Sequence, residues 1–422
     1  MAGDGLDRRV FALAVARMAD SLGNSFLIVV LPLFIASGRL TGGTLGLSET
    51  LISGLVIGLF GLVSSPLQPF AGRASDRAGR RRVFVVAGLA ILAITNAAFA
   101  FAGSYLTILG IRAIQGLGVA LTITASIALI NEYSTGGTRG AHMGIYNTLR
   151  MVGFGGGPIF AGLVVQAGPY ALAGVRFSGF EAAFYVASAA AVVSILLVFA
   201  LVRDPSELEA EAGGDVAIAV LDRTGEKLLD PVFTLGLASA FMAMGMALLE
   251  AIQPQVNARL GQEPFLFGVE FGAFVFAQLL CQIPVGAASD RWGRRPFLLG
   301  GLALFVPATL AQGLVTTPVQ MIGARFVQGV AAAAVFAPSL ALAGDLAKVG
   351  ESGTKLSVLT MAFGLGVAVG PIVSGFLIHY GFVVPFVFGS LVATAGFALV
   401  YTQVEETVGP DEVESGAAMP TD

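Results

Sequence analysis

Asp20 lies in the middle of a long apolar run. Arg17 is one helical turn before it and Asn24 one turn after, so a helix would put all three on one face. A second carboxylate, Glu250, is similarly deep in a later apolar run. Arg112, Arg150 and Arg325 occupy three others, and Gln115, Gln328, Gln278 and Asn147 add neutral polarity. An ionisable group at the centre of a membrane-spanning helix costs about 2.5–3.5 kcal/mol on insertion scales, so such groups tend to mark ion or substrate pathways. The chemistry within reach is proton uptake and release by a buried carboxyl as its access switches between two sides. Asp20 is the leading candidate for that role and Glu250 the next. The competing account is a permanent buried pair, Asp20 with Arg17 or Arg112, that only fixes helix packing. Arg17, Asn24, Gln115, Asn147, Arg150, Arg325 and Gln328 are candidates to line a substrate cavity. Glu270, only a turn or so into its segment, is expected to face water.

Other chemistries find little support. One cysteine, Cys281, leaves no intramolecular disulfide and no cysteine-based zinc site. Two histidines, His142 and His379, are too few for most catalytic or metal constellations. No Gly-x-x-x-x-Gly-Lys phosphate loop occurs, and Gly364-x-Gly366-x-x-x-Gly370 sits in an apolar span rather than at a strand–turn–helix junction. No catalytic triad, His-Glu-x-x-His or paired-carboxylate pattern supports an enzyme. No cofactor is expected beyond the proton as coupling ion, and no nucleic-acid partner.

Positioning such residues requires spans. The chain is 56% hydrophobic and 12% charged over 422 residues. Soluble domains run near 45–50% and about 25%, so the composition is that of a polytopic helical membrane protein in a lipid bilayer. Fifty-six glycines fit, because small residues let membrane helices approach closely. Twelve segments reach about 20 apolar residues, at residues 10–36, 47–70, 83–103, 105–132, 141–167, 180–202, 231–258, 265–287, 296–313, 318–345, 355–379 and 382–403. The opening MAGDGLDRRV leads into the first span without a cleavage-site pattern, so an uncleaved first helix is expected. With the N-terminus inside, sixteen Lys/Arg fall in inner segments (Arg8, Arg9, Arg73, Arg77, Arg80, Arg81, Arg82, Arg139, Arg203, Arg223, Lys227, Arg291, Arg294, Arg295, Lys348, Lys355) and three in outer loops (Arg39, Arg176, Arg259). The positive-inside rule then places both termini in the cytoplasm and the chain in the cell membrane. Residues 203–230 form an acidic linker and 404–422 an acidic tail.

The chain repeats itself. GRASDRAGRRR (72–82) recurs as GAASDRWGRR (286–295), IRAIQGLG (111–118) as ARFVQGVA (324–331), and GFGGGPIFAG (153–162) as GVAVGPIVSG (366–375). Gln115 and Gln328, Pro158 and Pro371, and Glu132 and Asp345 are each 213 residues apart. The expected fold is therefore all-α and polytopic, with twelve transmembrane helices in two parallel-repeat six-helix bundles: residues 1–202 and 231–403.

These motifs carry a family resemblance. Gly72-x-x-x-Asp76-Arg77-x-Gly79-Arg80-Arg81, with its second copy at Asp290, Arg291 and Arg294, resembles the signature loop of the major facilitator superfamily. Arg112-x-x-Gln115-Gly116 resembles its second motif. Gly153-x-x-x-Gly157-Pro158-x-x-x-Gly162 is similar to the third, that of the drug/proton antiporter branch, and Gly366, Gly370 and Pro371 repeat it. The resemblance covers about residues 10–403. It implies alternating access, in which two bundles rock around a central site at mid-membrane. It also ties Arg112 to coupling, and gives the signature loop the role of a cytoplasmic gate in which Asp76 meets helix 11. Gly72 and Gly79 would allow a tight turn, and Arg77, Arg80 and Arg81 would pair with Glu132. The plainer account of that loop is topology alone. The glycines of the third motif lie on one face, where another backbone can approach, and Pro158 would bend the helix into a hinge or seam.

The expected function is secondary transport of a small molecule, with proton-coupled efflux of small organic or amphipathic compounds foremost. Symport or facilitated uptake is the first alternative, and a non-transporting sensor on the same scaffold the second. A monomer is the default.

Overall fold

In a bilayer every backbone polar group must be satisfied within the chain, so apolar runs of this length become helices. The computed structural model describes residues 7–44, 46–134, 138–172, 174–204, 220–221, 227–346 and 352–407, without the side chains of Arg139 and of 352–357. Most of the acidic linker and tail, with Arg223 and Lys348, lies outside the described residues, as do the side chains of Arg139 and Lys355. The helices are α1 (Arg8–Ala36), α2 (Glu49–Ala78), α3 (Arg81–Ala98), α4 (Tyr105–Tyr133), α5 (Arg139–Ala167), α6 (Gly179–Leu201), α7 (Pro231–Ala247), α8 (Gln253–Leu260), α9 (Pro264–Trp292), α10 (Arg294–Leu314), α11 (Pro318–Asp345), α12 (Ser352–Leu377) and α13 (Val384–Gln403). Eleven candidate spans are long and apolar enough to cross a membrane, and α7 is a shorter apolar helix. A two-stranded hairpin, Tyr170–Leu172 with Val175–Phe177, joins α5 to α6 and was not expected.

The helices fall into two compact units. The first takes residues 1–214 with 250–272, and the second 215–249 with 273–422. In the first, α1 packs along α5 and α6, and α4 along α2 and α3. At one end of it Phe184 stacks on Phe99 and meets Phe34 edge-on. In the second, α7 packs along α12 and α13, and α10 along α11 and α13.

Glycines set the closest of these approaches. A methyl group on Gly153 of α5 would collide with the Met18 carbonyl of α1, and one on Gly157 would lie 2.6 Å from the Leu22 carbonyl oxygen. In the second unit Gly366 meets the Ala240 carbonyl, and Gly370 would place a methyl 2.6 Å from the Met244 oxygen. The α1 and α7 positions in these pairs are 222 apart. By that register Asp20 corresponds to Met242, Arg17 to Ser239 and Ile28 to Glu250.

Two expectations about elements need correction. The seventh span is not one helix over 231–258: it breaks at Leu248–Ile252 and resumes as α8. Pro254 explains the break, because it has no N–H for the Glu250 carbonyl and its ring clashes with that oxygen in a continuous helix. The signature segment is also mostly helix rather than loop. α2 runs to Ala78, so Gly72 and Asp76 are helical and Gly72 makes no tight turn. Gly79 does, in the left-handed region at φ 60°, and Gly293 follows α9 at φ 95°.

Candidate functional site

In α1, Asp20 is 3% exposed and bonded to the Arg17 guanidinium. Their face turns inward, towards a cavity of about 10 Å³ also lined by Leu89 of α3, Thr122 and Ser126 of α4 and Val198 of α6. That is room for about one water molecule. Tyr146 and Arg150 of α5 stand within electrostatic reach of Arg17. Tyr146, buried and four residues before Arg150, was missed in the sequence; its i, i+4 spacing was the available signal. Asn24 is half-buried and Asn147 exposed, and neither side chain bonds to another described residue. The structure thus brings Arg17, Asp20, Tyr146 and Arg150 together, with Asn24 and Asn147 on the same helix faces.

Arg112 belongs to a different assembly. Its Nε donates to the Val56 carbonyl (2.8 Å), its Nη1 to Gln115 Oε1 (3.0 Å), and its plane lies 4.7 Å from the Phe60 ring. Gln115 donates onward to Asn96 (2.6 Å). Arg325 does the same in the second unit. It donates to Gln328 Oε1 (2.7 Å) and the Met246 carbonyl (3.0 Å), Gln328 donates to the Thr309 hydroxyl (2.9 Å), and Phe274 lies beneath the guanidinium at 4.6 Å. All four groups, Arg112, Gln115, Arg325 and Gln328, are buried. Each network ties three helices by hydrogen bonds, those from the guanidinium being charge-assisted.

The signature segments form a second matched pair. Arg81 bridges Asp76 (3.1 Å) and Glu132 (2.8 Å), and Arg294 bridges Asp290 (3.3 Å) and Asp345. Arg77 and Arg80, expected to share Glu132, make no ion pair among the described residues, because only Arg81 stands at the head of α3 beside the end of α4. Asp204 accepts from the Arg82 N–H at the start of α3 (2.8 Å). Glu406 accepts from Arg294 and Arg295 N–H at the start of α10 (3.1 and 2.9 Å). Both caps satisfy free helix-end donors.

Glu250 sits in the break after α7, 3% exposed and within electrostatic reach of Arg112. Its register partner in α1 is Ile28, eight residues after Asp20. Glu270 does not face water: it is 1% exposed, because the start of α9 packs on α5 in the first unit. There Gly268 lies against the Pro158 carbonyl, and Phe154 meets Phe271 edge-on at 5.2 Å. Gly162 would place a methyl 2.6 Å from the Pro264 carbonyl oxygen. Those contacts give the Gly-Pro motif a close-packing role at this seam.

The family model for the Major Facilitator Superfamily matches residues 13–250 and again 235–418. The chain belongs to this superfamily. The two matches fall on the two repeated halves. Among relatives of this major facilitator chain, an uncharacterised MFS-type transporter of Methanocaldococcus jannaschii is 26% identical over 43% of this chain and 47% of its own length. Citrate exporter 1 of Aspergillus niger is 31% identical over 38% of this chain and 28% of its own. These first alignments thus span less than half of each relative. A multi-drug resistance efflux pump PmrA homologue of Lactococcus lactis is 23% identical over 85% of this chain and 86% of its own. By fold, a bacterial homologue of the human lysosomal transporter Spinster, solved inward-facing and occupied, superposes with TM-score 0.72 at 17% identity, covering 99% of this chain and 96% of that one. The human organic anion transporter MFSD10 gives 0.64 at 19% identity, over 93% and 99%.

Proposed function

We propose that this major facilitator transporter couples export of small organic compounds to protons by alternating access, with Asp20 as the proton-carrying group. The observation that carries the proposal is the Arg17–Asp20 pair beside a water-sized cavity in α1, with Ser239 and Met242 at the matching positions of α7. A carboxylate that can trade a proton for its arginine partner has two electrically similar states, which a carrier needs. The efflux pump and citrate exporter among the relatives support the direction of export without selecting a cargo. The basic inner segments favour the cell membrane with both termini cytoplasmic.

Cargo charge sets the sign of coupling. A cation competing with the proton for Asp20 gives exchange, as in the antiporter branch. The pairing of Arg17 favours a second reading: protonating Asp20 frees a cation, so that proton and an anionic cargo bind together.

Inside-out vesicles carrying the protein test the proposal. A proton gradient is imposed, and its change is followed on adding cationic dyes, antibiotics, sugars and carboxylates. One class should alter the gradient, and Asp20→Asn should abolish that change. Cargo counterflow with no proton movement in the unmodified protein would make it a facilitator. Coupling that survives Asp20→Asn would move the proton site, with Glu250 next.

A further inference from the structure

We infer that the cargo recognised beside Asp20 is a small organic carboxylate, held by Arg150 of α5 and by Arg17 once Asp20 is protonated. The inference rests on the proton-coupled reading in its co-transport form. Charge comes first. The ionisable groups of the cluster are Arg17 and Asp20 on α1, and Tyr146 and Arg150 on α5. The other elements lining it contribute Val85, Leu89, Thr122, Ser126 and Val198, none of them charged. Arg17 holds the one carboxylate and Arg150 stands within electrostatic reach of Arg17, so a cation would meet net positive charge and would have to displace Arg17 from Asp20.

Unused donors come second. Among the described residues Arg150 makes no hydrogen bond or ion pair. Arg17 Nε is buried without a hydrogen-bond partner. Buried donors are normally satisfied, so these mark a place where an acceptor is missing. A carboxylate supplies two acceptor oxygens in the geometry a guanidinium matches.

Position comes third. The cavity behind Asp20 has room for about one water molecule, enough for a proton route and too small for cargo. Asn147, Arg150 and Phe154 follow one another at i, i+3 and i+7 on α5. Phe271 covers that face at Phe154, and it opens towards the exposed Asn147. Cargo therefore meets Arg150 from the Asn147 side, with Phe154 beside it for an apolar portion. The repeat sharpens the assignment: 213 residues on, Tyr146 and Arg150 become Leu359 and Phe363, and Phe363 packs on Phe336 at 5.2 Å.

The test uses the full-length protein in proteoliposomes with a trapped pH dye, and labelled succinate, citrate, benzenesulfonate and methyl viologen as probes. Succinate or citrate should move with protons in the same direction. Arg150→Gln should weaken the apparent affinity at least about thirtyfold, the scale for losing one partner of a desolvated charge pair. Arg150→Lys should recover part of it. Thermal unfolding of each variant shows whether it is folded. Movement of methyl viologen against protons, with no carboxylate moved, would overturn the inference and leave proton coupling standing. Carboxylate counterflow without proton movement would keep the cargo class and sink the coupled reading. Carboxylate transport unchanged in Arg150→Gln would remove Arg150 from the site, and failure of every carboxylate to move in folded protein would overturn the inference.

Discussion

The two units share a frame and differ in what they place inside it. Both carry an Arg–Gln pair that reaches a third polar side chain nineteen residues earlier, Asn96 or Thr309, with a phenylalanine under the guanidinium. Both have a helix-end arginine bridging two acids, and a glycine helix laid on the carbonyls of the first or seventh span. The first places the Arg17–Asp20 pair in that span, and the second breaks the span after α7. What is duplicated is what either bundle needs in order to stand. What occurs once is free to do something else. On that logic Arg112, which the family motif ties to coupling, shares the frame-building duty of Arg325, and Asp20, Arg17 and Arg150 carry the asymmetry.

The largest expected effects come from breaking the frame where backbone meets backbone. Gly153→Val and Gly366→Val each push a side chain into a carbonyl that has no room to retreat. Each should cost about 3 kcal/mol or more, at the upper end of overpacking. Thermal unfolding in detergent should show both, to a similar extent. A large loss in one unit with none in the other would end the claim that the two seams are equivalent.

Arg112→Leu and Arg325→Leu should come next, at about 2 kcal/mol each, because each leaves a buried glutamine oxygen and a backbone carbonyl without their donor. The matched loss of stability is the point. If Arg112→Leu unfolds normally yet abolishes coupling, Arg112 belongs with Asp20 instead of with Arg325.

Much of this frame was legible in the residues. The 213-residue repeat, the twelve apolar runs and the polar groups within them follow from period and composition, which the bilayer makes unusually informative. The break after α7 was legible in Pro254 and was overlooked because the surrounding run is apolar enough for one helix. Glu270 looked solvent-facing because depth was counted along its own helix, whereas α5 covers it. Tyr146 and the unpartnered state of Arg150 depend on how α1 lies against α5, and that geometry is fixed by Gly153 and Gly157 in three dimensions. Which arginines would pair was also hidden: Arg77, Arg80 and Arg81 are alike in sequence, and only the turn at Gly79 sends Arg81 to Glu132.

The smallest test addresses how each frame begins. α1 starts on Asp7, whose Oδ1 accepts from the Arg9 N–H at 2.8 Å. α7 starts on Asp230, whose Oδ1 accepts from Val232 and Phe233 at 2.9 and 3.1 Å. Removing an N-cap carboxylate costs about 1 kcal/mol, so Asp7→Ala and Asp230→Ala should each lower stability by about that much, Asp230→Ala the more because two donors lose their acceptor. Asp7 adds a pH signature. The side-chain hydrogen bond from Arg9 holds its carboxyl below the ordinary value. A depressed folded-state value stabilises the fold above the unfolded value, about 3.9 for Asp, and the contribution fades as pH falls through the folded value. The stability gap between the unmodified protein and Asp7→Ala should therefore hold level from neutral pH to about 4 and close below it. A gap already shrinking at pH 6 would mean that a group other than the Asp7 carboxylate anchors the start of α1.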